Sequence, residues 1–225
     1  MFKKITSVFI VLLILSGLFN ISYAAAPELN AKAAILIDAK TGNVLYEKEA
    51  DKKMYPASTT KIMTAMLALE KVEKGEISLE QPITYTETAE ATMSADGSNI
   101  ALKVGESMVL GDLLKGLLLA SGNDAAAIIA EYTGGSIDAF VATMNEKVKA
   151  LGLKNTHFAN PHGLHNEENY TTAHDMAVIA REAMKNETFR SIVECAHIRL
   201  AATNMTEERY YINTNNLVSK MRYPY

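Results

Sequence analysis

The chain has 225 residues, 48% of them hydrophobic and 21% charged, and a net charge of -4 at pH 7. That length and balance exclude a disordered or coiled-coil chain and leave enough apolar material to bury a real core. The excess of acid also excludes a sequence-independent nucleic-acid binder, which needs a basic footprint.

Lys3 and Lys4, the mostly apolar Ile5–Phe19 and the small residues around Ala24 follow the order of a secretory signal peptide. We expect it to span residues 1–24, with cleavage after Ala24 to Ala26 and one domain over 25–225. The apolar run is shorter than the roughly 20 residues that cross a bilayer. In an exported chain the lone Cys195 has no disulfide partner, so the fold must rest on its core. Cys195 lacks a turn or glycine-rich context and reads as an ordinary small residue, buried or half-buried.

Ala33–Ile37 and Val44–Tyr46 flank a Thr41-Gly42-Asn43 turn and predict a β-hairpin. Pro56-Ala57-Ser58 marks the start of a helix, with Ser58 in a capping position. The helix over Thr59–Lys74 stops at Gly75 and is apolar around most of its circumference, so it should be central and buried. Short strands are expected near Ile83–Thr86 and Ile100–Val104. Helices follow over Leu110–Ala120, Asp124–Tyr132, Ile137–Leu151 and Ala173–Lys185, and strand-like alternation resumes from His197. Hairpin, helices, then strands again predict an α+β fold whose antiparallel sheet is made from both chain ends, with a helical subdomain between.

Ser58-Thr59-Thr60-Lys61 places a hydroxyl and an amine three positions apart, on one face of a helix start. Serine becomes a nucleophile only when something takes its proton, and lysine can do so only if desolvation or a neighbouring cation lowers its pKa. The helix amino end would favour negative charge developing on Ser58. The plain alternative is a capping serine beside a solvated lysine. Ser121-Gly122-Asn123 lies between two apolar helices, where a simple helix break with an N-cap is the ordinary explanation. That explanation accounts for Gly122 and Asn123 but not for the two motifs in this order.

Together, Pro56-Ala57-Ser58-Thr59-Thr60-Lys61, Ala120-Ser121-Gly122-Asn123-Asp124-Ala125-Ala126, Asn160-Pro161-His162-Gly163-Leu164 and Tyr170–Ala177 resemble the penicillin-recognising serine enzymes. Within that group the chain is most similar to low-molecular-weight D-alanyl-D-alanine carboxypeptidases, from about Ala33 to Tyr225. The resemblance implies the serine β-lactamase/DD-peptidase-like fold and a bacterial, extracytoplasmic enzyme of cell-wall remodelling. It implies that Ser58 attacks the bond between the two terminal D-alanines of a peptidoglycan stem peptide, that Lys61 accepts the Ser58 proton and that Ser121 relays a proton to the leaving amine. Asn123 would bind the substrate backbone and orient Lys61. β-Lactams would acylate Ser58 as mimics of that bond, and no metal or other cofactor is implied. His157, His162, His165 and His174 are assigned structural roles, because the serine–lysine pair already supplies nucleophile and base.

One family motif is missing. The Lys-Thr-Gly carboxylate anchor should lie on a strand after Asn123, whereas Lys40-Thr41-Gly42 precedes the nucleophile and reads as a hairpin turn. The chain therefore reads as a copy incomplete at its carboxyl end, lacking later sheet strands and any tail that holds a full-length form peripherally on the membrane. Two alternatives are a class A-like β-lactamase, for which Glu167 and Glu168 lie in the right region, and a catalytically inactive wall-binding fragment.

Overall fold

The computed structural model describes residues 28–94, 97–216 and 218. The signal-peptide reading and the last residues of the chain lie outside them.

The first hairpin pairs β1 (Ala34–Ile37) with β2 (Val44–Lys48), antiparallel. Its turn holds Lys40-Thr41-Gly42, as expected. Asp38 Oδ1 accepts from the Lys40 and Thr41 N–H groups, and Gly42 takes φ 81°, a region that favours glycine. A 3-10 turn, Ala57–Thr60, leads into α1, Lys61–Glu73. Lys61 and Met63–Leu69 are all buried, so α1 is the central helix its apolar circumference predicts. Gly75 ends it at φ 71°.

β3 (Pro82–Thr84) pairs with β4 (Ser107–Val109). The strand expected over Ile100–Val104 does not form. Its amides turn inward instead: Ile100 N–H and Leu102 N–H both donate to the buried Asp124 carboxylate, at 3.0 Å. A carboxylate that satisfies amides in a loop removes them from any ladder.

The short α2 (Glu87–Glu90) lies between β3 and β4, and α3 (Leu110–Leu119), α4 (Asn123–Gly134) and α5 (Ile137–Ala150) follow. Asn123–Ala130 are all buried, and the alanines of α4 let α1 and α3 approach it closely. On α5, Phe140, Met144 and Val148 recur every four residues on the buried face. α6 (Ala173–Ala183) is capped by Thr172 and packs under β1. α7 (Glu187–Val193), unexpected from the sequence, is a short helix capped by Asn186 and anchored by Phe189 and Ile192.

β5 (His197–Leu200) and β6 (Arg209–Ile212) form the last antiparallel pair. The molecule is α+β as predicted, but among the described residues the hairpins at the two ends are separate two-stranded sheets rather than one. Each pairs within itself and packs on helices, β1 on α6 and β5 on α3.

Candidate active site

Ser58 does not cap α1, as its position suggested. It lies inside the 3-10 turn, makes no capping bond and is exposed, because the turn carries the chain into α1 before any amide needs a side-chain acceptor. Its hydroxyl meets Lys61 instead, one turn on, with 3.2 Å between Oγ and Nζ. Ala57, just before it, holds φ 47°, a strained value for a residue with a Cβ.

Lys61 is only 2% exposed, so the solvated alternative is gone. Its Nζ donates to Asn123 Oδ1 and to the His162 carbonyl, both at 2.7 Å. Neither acceptor carries a charge. Burial pushes the ammonium down from the ordinary 10.5 to about 8, against an opposing pull from the Asp124 carboxylate. Asp124 does not touch it: its oxygens are taken by the amides of Ile100, Leu102 and Ala125.

Asn123 is the first residue of α4, and its side chain reaches across to α1 rather than capping its own helix. Gly97 sits beside it; a Cβ there would come within 2.4 Å of the Asn123 amide nitrogen. Ser121 holds φ 60° at the break between α3 and α4. Its Oγ is buried without a hydrogen-bond partner. Ser58, Lys61, Ser121 and Thr214 line one open cavity of about 250 Å³, with Ile62, Leu117 and Leu118 as its apolar wall. The structure therefore brings together Ser58, Lys61, Ser121 and Asn123, although Ser121 makes no bond to Lys61.

The turn at Asn160–Leu164 supplies a contact that sequence reasoning missed, the His162 carbonyl on Lys61. The one available signal was the Pro161-His162-Gly163 turn, whose glycine the packing demands. Gly163 has φ 88°, and a Cβ there would lie 1.9 Å from the Ala57 carbonyl oxygen. The His162 ring is buried, and burial followed by the nearby Lys61 charge pushes it down to about 4. Its Nδ1 accepts from Leu164 N–H at 3.2 Å, as only a neutral imidazole can.

The other histidines lie apart: His157 Nδ1 meets the Glu168 carbonyl, and His174 lies near Asp51 and Asp175. Among the described residues no group of three or more His, Cys, Asp or Glu side chains is placed to hold a metal ion. Glu167 and Glu168 are exposed and neither lines the cavity. Cys195 is free and half-buried, with Sγ 3.1 Å from the Ser191 carbonyl.

A family model described as D-alanyl-D-alanine carboxypeptidase, peptidase S11, matches residues 20–223. The chain is 43% identical to D-alanyl-D-alanine carboxypeptidase DacF of Bacillus subtilis (strain 168) over 188 residues, covering 84% of this chain and 47% of that one. It is 40% identical to D-alanyl-D-alanine carboxypeptidase DacA of Escherichia coli (strain K12) over 163 residues, covering 71% and 40%. The chain thus spans less than half the length of either relative. Among solved structures, the DD-transpeptidase of Streptomyces K15 superposes with a TM-score of 0.80 at 33% identity, over 88% of this chain and 79% of that one. D-alanyl-D-alanine carboxypeptidase DacD of Francisella tularensis gives 0.76 at 37%, over 86% and 47%. With Ser58, Lys61 and Ser121 gathered around one cavity in that fold, the chain belongs to the D-alanyl-D-alanine carboxypeptidase family, peptidase S11.

Proposed function

We propose that this chain carries the acylating half of a serine-type D-alanyl-D-alanine carboxypeptidase, acting outside the cytoplasm on peptidoglycan stem peptides. The observation that carries the reading is a buried lysine amine 3.2 Å from an exposed serine hydroxyl, with only neutral oxygens as its other partners. In the neutral form Lys61 takes the Ser58 proton as Oγ attacks the carbonyl of the penultimate D-alanine. The peptide C–N bond then breaks and the leaving nitrogen takes a proton through Ser121. Water later cleaves the ester, releasing the shortened peptide and restoring Ser58. The Ser58 N–H would donate to the oxyanion. Asn123 holds Lys61 and offers its amide to the substrate backbone.

A β-lactam presents its ring amide carbonyl to Ser58 in place of the D-Ala-D-Ala bond, and the ring-opened acyl group stays attached. The basic and then apolar start of the chain supports export, and among the described residues no helix is long and apolar enough to cross a membrane.

Labelling the 225-residue chain with a fluorescent penicillin tests the reading, together with D-alanine release from an acylated D-Ala-D-Ala peptide. We expect a covalent adduct that Ser58→Ala abolishes. Rapid turnover of a chromogenic β-lactam would favour a lactamase. Binding of stem peptide without any acylation would favour a wall-binding fragment.

A further inference from the structure

We propose that Thr64 and Asn160 are positioning residues for Lys61, acting through the backbone carbonyl of His162. The inference rests on Lys61 being the base for Ser58, and it explains how the amine is aimed.

A lysine that has lost one proton keeps two N–H groups and one lone pair. Asn123 Oδ1 and His162 O each take a donor at 2.7 Å, and a carbonyl oxygen cannot donate in return. The only direction left for the lone pair is the third neighbour, Ser58 Oγ, at 3.2 Å. Aim therefore depends on both acceptors staying in place. Asn123 is fixed by the buried start of α4. The His162 carbonyl belongs to a loop and needs its own anchors.

Two side chains provide them. Thr64 lies one turn after Lys61 on the same face of α1 and is fully buried. Its hydroxyl donates to the Pro161 carbonyl at 2.6 Å, so successive carbonyls of one turn, Pro161 and His162, dock on successive turns of one helix. Asn160 closes the turn from the other side. Its Oδ1 accepts from Gly163 N–H at 2.6 Å and its Nδ2 donates to the Leu164 carbonyl at 2.9 Å. Neither Thr64 nor Asn160 lines the cavity, so neither has reason to touch substrate. The titratable groups that Lys61 senses, Asp124 on α4 and the His162 ring, are left intact by changes at both positions.

The test uses the whole chain and three variants, Thr64→Val, Thr64→Ser and Asn160→Ala. Fluorescent-penicillin acylation is resolved into its binding constant and its acylation rate constant, and the Lys61 amine is titrated by NMR of its labelled side chain. We expect Thr64→Val and Asn160→Ala to lower the acylation rate constant about tenfold or more, with binding within about twofold. Their Lys61 midpoints should move by about 0.5 pH or more. Thr64→Ser, which keeps the hydroxyl, should restore rate and midpoint. The proposal is overturned if Thr64→Val keeps the wild-type rate and midpoint, or if Thr64→Ser is as impaired as Thr64→Val. Should Thr64→Val fail to fold, Asn160→Ala, on the partly exposed side of the turn, decides by the same readouts. A wild-type chain that is never acylated would defeat the Ser58–Lys61 reading itself. The NMR midpoints would still judge the positioning role, and identical values in all four proteins would overturn it.

Discussion

Among the described residues two cations are buried, Lys61 and Arg209, and their surroundings are opposite. Arg209 on β6 meets Glu106, a carboxylate with 0% exposure, at 2.7 Å. It also donates to the Ala101 carbonyl, while Thr203 and the Lys103 N–H add bonds to Glu106. Burial pushes the Glu106 carboxyl up, but the hydrogen bonds from Thr203, Arg209 and Lys103 outweigh it and hold the group below its usual value. Lys61 is buried as deeply, yet among the described residues it touches no carboxylate. The nearest one that acts on it, Asp124, is committed to backbone amides. A guanidinium keeps its charge whatever surrounds it, so the contacting anion makes Arg209 a brace for the structure. A buried lysine amine with only neutral acceptors gives up its proton readily and can serve as a base.

The comparison breaks first at its braced end. Glu106→Gln leaves the Arg209 charge without its anion and should destabilise the fold by about 3 kcal/mol in urea unfolding. The pH profile of Ser58 acylation should be unchanged in the folded protein.

Asn123→Asp turns the Lys61 site into a second Arg209 site, with a carboxylate on the amine. The Lys61 midpoint should rise by about 2 pH, and acylation at pH 7 should fall about a hundredfold. Raising the pH should recover part of that loss; a deficit independent of pH would point to lost substrate contact alone.

The lowered Lys61 midpoint is also a stability statement. Between about 8 and 10.5 the unfolded chain holds this proton and the folded chain does not, so stability gains as pH rises through that window. Urea unfolding at pH 7.5 and 10 should show wild type gaining about 2 kcal/mol relative to Lys61→Met. No difference would mean Lys61 titrates like a surface lysine.

The smallest effect is at Ser121. Its hydroxyl has no protein partner to lose, so Ser121→Ala should change unfolding free energy by less than about 1 kcal/mol while slowing acylation. A larger loss of stability would reveal a structural bond at that oxygen.

Much of this was legible in the sequence, for physical reasons. The periods of the long helices, the glycine stop at Gly75 and the hairpin around Gly42 are local signals, and each element formed within a few residues of its expectation. Ser58 and Lys61 share a helix face, so their meeting was also local. What the sequence hid was non-local. The strand expected at Ile100–Val104 was lost to a carboxylate 24 residues beyond Ile100 and 22 beyond Leu102, and the His162 carbonyl carries no side-chain signature at all. α7 was hidden by its brevity, since seven residues show barely two turns of period.

The charge state of Lys61 is where the account stands or falls. A side-chain NMR titration of Lys61 in the intact chain, assigned against Lys61→Arg, measures it without any substrate. The predicted midpoint is about 8. A midpoint near 10.5, the ordinary lysine value, would leave Ser58 without a base at neutral pH and contradict it.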